Sequence, residues 1–199
     1  APERVPSHAE FRAPRQASPY AWLAKWHVLR VQKGWAGNLQ QEAKQALDCT
    51  KRALDADPRS SLALTIDVTK RAAVEDMVQL AIDGFGRVHF LFNSAGAAIR
   101  RAKFLEIDDD LMDKTFDLNV KGTLYGMQAV LPHMLQNKFG VIVNMGSMSH
   151  RRGGPGSGVH YASAKGAVVT MTMGVAREFA TQGIRALSIS PGPIRTPFQ

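Results

Sequence analysis

Cysteine is nearly missing from this chain of 199 residues. Cys49 stands alone, so no intramolecular disulfide can form, and a reducing compartment suits the composition. Long apolar runs are missing as well. None approaches the ~20 residues that a membrane-crossing helix needs, and the opening residues lack the apolar core of a secretory signal. Ser147 has no G-x-S-x-G surround and no Asp/His pair follows it in suitable order, which excludes a hydrolase triad built on it. No internal repeat and no low-complexity tract is visible, and no metal site is expected. Nor is there a nucleic-acid-binding motif or a basic stripe interleaved with aromatics. That last absence carries weight because the chain is basic, with a formal charge of +8 at pH 7. Arg4, Arg12, Arg15, Lys25, Arg30 and Lys33 meet only Glu3 and Glu10 before Gly34, and Arg100, Arg101, Lys103, Arg151 and Arg152 add to them. We read a solvated basic surface that favours small anions, with no nucleic-acid partner and no membrane span. A cytoplasmic location is expected. Organellar import stays open, because the opening residues carry arginine with little acid. The chain opens on Ala1 rather than Met, as a processed, tagged or incomplete chain would.

Hydrophobic content of 45% and charged content of 21% are those of an ordinary soluble globular protein. The length predicts one domain with a sizeable core. Two stretches differ in rhythm. Residues 1–61 form an atypical N-terminal segment. Pro2, Pro6, Pro14 and Pro19 make 1–19 irregular, residues 20–33 read as an amphipathic helix, Gly34–Gly37 as a turn and Gln40–Leu54 as a second helix. Asp57-Pro58-Arg59-Ser60 breaks it.

From Leu62 strands and helices alternate. Strands are expected at Leu62–Ile66, Val88–Phe92, Val141–Met145 and Ala186–Ser190, the second of them buried. Thr69 is placed to N-cap a helix through Ile82, ended by Gly84 and Gly86. Asp108–Asp110 opens a long helix, with apolar periodicity from Leu111 to Leu135 and Pro132 near its end. A Gly/Ser/Arg loop, Gly146–His160, leads to an Ala-rich helix through Ala180. Strand-helix-strand repeats at this spacing imply parallel pairing with right-handed crossovers. The expected fold is therefore α/β, a doubly wound, mostly parallel sheet with helices on both faces over 62–199.

The chemistry is concentrated in Tyr161-Ala-Ser-Ala-Lys165. Residues four apart share a helix face. A phenol titrates near a pKa of about 10, and a lysine ammonium one turn away lowers that value, which makes a general acid or base at neutral pH. Alone, the pair is as well read as two residues of an amphipathic helix. Its surroundings are more specific. Asp67-Val68, Asn93-Ser94-Ala95-Gly96, Asn119, Ser147, Tyr161/Lys165 and Pro191-Gly192-Pro193-Ile194-Arg195-Thr196 follow one another in an order that resembles the classical short-chain dehydrogenase/reductase family. The resemblance runs from about Leu62 to the C-terminus.

The resemblance implies an NAD(P)-dependent oxidoreductase that interconverts a hydroxyl and a carbonyl group of a small organic substrate by hydride transfer. Tyr161 would be the acid/base, Ser147 would orient the substrate oxygen with Ser149 as a competitor for that role, and Lys165 would assist Tyr161 and hold the nicotinamide ribose. Asn119 would open its helix locally and hold a water leading to Lys165. Asp67 and Val68 would approach the adenine. Asn93, Ala95 and Gly96 would border the dinucleotide, and Pro191, Gly192, Ile194 and Thr196 the nicotinamide. A homodimer or homotetramer is expected by the same resemblance.

Two departures accompany it. The family's glycine-rich T-G-x-x-x-G-x-G turn belongs near residues 12–25, and that window contains no glycine. Asn38 falls at the ribose-selecting position, where it gives neither the charge penalty of Asp nor an arginine clamp. The cofactor is then NADP or NAD, with a lean to NADP from the basic charge. The family also continues past its Pro-Gly motif, whereas this chain ends at Gln199. The alternative is an inactive or truncated homologue that acts only as a scaffold.

Overall fold

The computed structural model describes residue 64 and residues 66–193. The segment 1–61 with Asn38, most of the strand expected at Leu62–Ile66, and Ile194 and Thr196 lie outside the described residues.

Among the described residues three strands, β1 (Phe90–Asn93), β2 (Gly140–Met145) and β3 (Ile184–Ile189), lie in that order and pair in parallel. Five α-helices accompany them among the same residues: α1 (Arg71–Phe85), α2 (Asp109–Phe116), α3 (Gly122–Gln136), α4 (Ser149–Arg152) and α5 (Val159–Phe179). Parallel neighbours cannot be joined by a hairpin. Here α3 leads from β1 to β2 and α5 from β2 to β3. This is the expected Rossmann-like α/β fold, a parallel sheet with helices packed on it.

The pairing register stacks side chains in rows across the sheet. Leu91, Ile142 and Ala186 form one row, and Asn93, Asn144 and Ser188 form the next on the same face. The apolar row meets Val78 of α1 and Met127, Val130, Leu131 and Met134 of α3, with Met171, Val175 and Phe179 of α5 packed alongside. The four α3 residues follow the i, i+3, i+4, i+7 spacing of a core-facing stripe. Each large apolar side chain buried in this way contributes about 1.5–3 kcal/mol. Among the described residues, α1, α3 and α5 thus share one face of the sheet. On the other face Phe90 is 68% exposed, and Phe92, Leu187 and Ile189 are exposed with it. The strand expected at Val88–Phe92 therefore starts two residues later, and its alternate side chains are not buried.

Local chemistry sets the helix ends. Asp108 caps α2 through its carboxylate, which accepts the Leu111 N–H at 2.8 Å, and Asp109 and Asp110 complement the positive end of the helix dipole. Thr69 does not cap α1. Its N–H and hydroxyl both donate to the Asp67 carboxylate, at 2.9 and 2.8 Å, so the helix begins at Arg71 behind Lys70. It runs through Gly84 and stops at Gly86, which adopts a left-handed backbone.

The long helix expected from Leu111 to Leu135 is interrupted. A π-helical turn, Asp117–Lys121, joins α2 to α3, and α3 continues past Pro132 to Gln136.

Candidate active site

The carboxyl ends of β1, β2 and β3 meet one helix, α5, and one interrupted helix, α2–α3. Parallel strands gather their ligand chemistry at these ends.

Tyr161 and Lys165 lie in the first two turns of α5. The Lys165 Nζ is 5.7 Å from the centroid of the Tyr161 ring, so the four-residue spacing does put both on one face. Lys165 is 1% exposed. It occupies the buried stripe that continues through Val168 and Thr172, a place where an apolar residue would ordinarily stand. Its ammonium donates to the Met145 carbonyl at the end of β2, at 2.7 Å.

The Tyr161 hydroxyl is turned toward the side chain of Ser147. Burial pushes the phenol above its ordinary value, and the nearby Ser147 hydroxyl pulls in the opposite direction without cancelling the rise. The net direction is therefore upward and set by desolvation, not the lowering expected from the neighbouring lysine.

Ser147 follows β2 after the single residue Gly146. The chain after β2 stays paired to the chain after β3: Gly146 N–H donates to Ile189 O at 2.8 Å, and Met148 N–H to Pro191 O at 2.9 Å. Ser147 is thereby held beside the Ser190–Pro191 segment. Its Oγ accepts the Ser149 N–H at 3.1 Å and donates to the Ser149 hydroxyl at 3.1 Å, and its carbonyl is bonded to the His150 ring. Ser149 thus buttresses Ser147.

Asn119 sits inside the π-helical turn and is fully buried. Its amide donates to Ala97 O at 2.7 Å and to Thr115 O at 2.8 Å, and its backbone carbonyl accepts the Thr123 hydroxyl at 2.8 Å. The wider i→i+5 turn suits such a side-chain insertion. The Asn119 Oδ1 is buried with no hydrogen-bond partner. A buried carbonyl oxygen in that state calls for a donor.

Gly96 shows how closely these groups approach. A Cβ on Gly96 would lie 2.5 Å from Asn119 Oδ1 and 3.0 Å from Lys165 Nζ. Only a residue without a side chain leaves both atoms in place. Gly96 is thus required by its neighbours, whatever ligand approaches it.

Asn93 is fixed from behind. Its amide donates to Asn144 Oδ1 at 2.8 Å, and Asn144 donates in turn to the Thr172 hydroxyl at 2.9 Å. Gly126 makes room, since a Cβ there would stand 2.5 Å from Asn93 Oδ1. Asn144 and Thr172 escaped the sequence reading. The available signal was one asparagine in the otherwise apolar strand Val141–Met145, since a buried polar side chain needs a partner.

Asn119, Ser147, Tyr161 and Lys165 are thus linked around Gly96. Asn93 with Ser94 and Ala95 leads into this turn, and Pro191 adjoins Ser147 through Met148. Gly192 has open space around its Cα. Asp67 and Val68 approach from the start of α1. Val68 packs against Gly122, a Cβ on which would be 3.1 Å from Val68 Cγ2. The Asp67 carboxyl is held below its ordinary value, first by the Thr69 backbone N–H and then by the Thr69 hydroxyl.

Among the described residues no group of His, Cys, Asp and Glu is arranged to hold a metal ion, and no helix is long and apolar enough to cross a membrane.

The short chain dehydrogenase family model matches residues 30–199. An uncharacterized oxidoreductase of Staphylococcus epidermidis is 34% identical over 134 residues, covering 67% of this chain and 57% of that one. The chain thus spans little more than half the length of such a relative. Among solved structures, ElxO with NADP bound matches with a TM-score of 0.70 at 29% identity, over 78% of this chain and 61% of that one. NAD+-bound xylitol dehydrogenase matches with a TM-score of 0.65 at 30% identity, over 73% and 57%.

Proposed function

The chain belongs to the short chain dehydrogenase family, and from that premise we propose that it interconverts a hydroxyl and a carbonyl group of a small organic molecule with a nicotinamide cofactor. The observation that carries this reading is the Tyr161 phenol turned toward Ser147, with the Lys165 ammonium 5.7 Å from its ring centroid, at the carboxyl ends of parallel strands.

A bound nicotinamide would supply the hydride in reduction and take it up in oxidation. The chain's own residues handle the oxygen and its proton. Ser147 and Tyr161 converge on one substrate oxygen, Ser147 orienting it by a hydrogen bond. In reduction Tyr161 donates its proton to that oxygen, and in oxidation it accepts the proton back. A phenol raised by burial is protonated at neutral pH, which suits the donating direction. Lys165, anchored on Met145 O, would hold the nicotinamide ribose. The unpartnered Asn119 Oδ1 fits a water that bridges toward Lys165. Asn93, Ala95, Gly96, Pro191 and Gly192 would border the dinucleotide, Asp67 and Val68 would reach the adenine, and Asn38, Ile194 and Thr196 would complete the set. NADP is favoured over NAD by the basic charge. A homodimer or homotetramer in the cytoplasm completes the reading.

A titration of the purified chain with NADPH and NADH, followed by nicotinamide fluorescence, tests it. Saturable binding by the wild type and by Tyr161→Phe, with carbonyl-dependent oxidation of the cofactor by the wild type only, is the expected result. The glycine-free window at residues 12–25 favours a second reading, a non-catalytic family member that works by association. No binding by a folded chain selects it.

A further inference from the structure

The loop after β1 contains a backbone conformation that its sequence does not favour. Ile99 has a φ of +64°, and Arg100 N–H donates to Ala98 O at 2.8 Å. Together these define a three-residue γ-turn of the rare, left-handed kind centred on Ile99. A β-branched side chain at positive φ is an outlier that persists only where its surroundings impose it. Core packing does not impose it here, since Ile99 is 48% exposed.

The constraint comes from His160. Its Nε2 lies 3.0 Å from Ala98 O and 3.1 Å from Arg100 O, the two carbonyls that flank Ile99. Both partners are acceptors, so Nε2 carries the proton. The ring is fully buried, and its Nδ1 has no partner. Asn119 takes the preceding carbonyl, Ala97 O, at 2.7 Å, and Ala102 N–H closes the loop onto Ser157 O at 3.2 Å. His160 is adjacent in sequence to Tyr161. One imidazole thus ties the turn to the first turn of α5, the helix that carries Tyr161.

We propose that His160 is a positioning residue. It clamps the strained turn so that Ile99 forms an apolar wall beside Tyr161, against which the non-reacting part of an apolar carbonyl substrate rests. The proposal rests on the oxidoreductase reading. The clamp acts on substrate binding, leaving the chemistry of the proton transfer to Tyr161 and Ser147.

The full-length chain is compared with His160→Phe, which removes the donor, with His160→Gln, which keeps one, and with Ile99→Gly. Two readouts are taken: hydrogen exchange at the Arg100 amide, and kcat and KM for NADPH-dependent reduction of a panel of simple aldehydes and ketones headed by benzaldehyde. In His160→Phe the Arg100 amide exchanges faster, and KM rises by about tenfold while kcat stays within about twofold, the pattern of lost binding rather than lost chemistry. His160→Gln restores both readouts. Ile99→Gly, at an exposed position where glycine accepts the turn, raises KM and leaves the Arg100 amide protected. An active wild type with His160→Phe unchanged in either readout, or His160→Gln behaving like His160→Phe, overturns the proposal alone. So does Ile99→Gly with an unaltered KM. A wild type that reduces no carbonyl overturns the oxidoreductase reading and this proposal with it.

Discussion

Two rows of side chains lie on the same face of the sheet, two residues apart along each strand, and they do different things. The row Leu91–Ile142–Ala186 is apolar, with Ile142 fully buried and Leu91 and Ala186 partly buried under α3 and α5, and acts through burial. The row Asn93–Asn144–Ser188 is nearer the carboxyl ends. There Asn93 and Asn144 are hydrogen-bonded, and Asn144 passes the chain of bonds to α5 through Thr172. One step of the pleat separates a residue whose loss costs stability from one whose loss misplaces the site. Because the strands are parallel, all three change character at the same level.

Tyr161→Phe sharpens the contrast most. It removes the proton donor above the polar row and leaves both rows packed. Turnover is expected to fall about 10²- to 10⁴-fold, with cofactor binding and the thermal midpoint little changed. Steady-state kinetics beside a fluorescence titration measure both. Next is Ile142→Ala in the apolar row. Ile142 is fully buried, and truncation is expected to cost about 2–5 kcal/mol in urea unfolding, with activity per folded molecule retained. Turnover lost beyond the folded fraction would contradict the division between the rows.

Asn144→Leu breaks the polar row instead. It leaves the Asn93 amide with only its longer bond to Thr123 O at 3.4 Å and takes a donor from the Thr172 hydroxyl, which keeps Val168 O, at about 1–3 kcal/mol. Here cofactor affinity is expected to fall along with stability, because Asn93 is no longer fixed. An unchanged affinity would mean that the polar row is only structural.

The smallest effect is a slope in pH. The Tyr161 phenol is raised in the folded chain by burial, whereas in the unfolded chain it ionises at about pH 10. The folded state therefore holds its proton longer. The associated stability is complete below about pH 10 and is lost as pH rises through the folded value. Tyr161→Phe lacks this linkage, so its urea midpoint should decline less between about pH 9 and pH 11. Equal slopes in the two proteins would deny that the phenol is buried.

Much of the site was legible because it is local. Tyr161 and Lys165 share a face at a spacing of four, and Ser147 stands one residue beyond an apolar strand. The direction of the Tyr161 shift was not legible, since it depends on how deeply the ring is buried, and the chain alone does not say. Asn144, Thr172 and His160 were missed for a different reason. Their partners lie tens of residues away, and the Asn93–Asn144 bond exists only because the strand register sets those residues opposite each other. The Thr69 cap failed because the Asp67 carboxylate draws both the Thr69 N–H and its hydroxyl to itself, and the cap position falls to Lys70. The break at Asn119 was legible only through the family resemblance, since a mid-helix asparagine has many ordinary explanations.

The π-helical turn has a consequence for rotational phase. An α-helix advances about 100° per residue, and the wider turn Asp117–Lys121 takes up one residue more than an α turn would. Leu111 and Thr115 before it, and Met127, Val130 and Met134 after it, are all buried. Without the extra residue the second set would be rotated away from the first by about 100°. The turn thus works as a gear between two helical stripes. Deleting any one residue of Asp117–Lys121 should swing the core-facing edge of α3 toward solvent, even where the deleted side chain touches nothing.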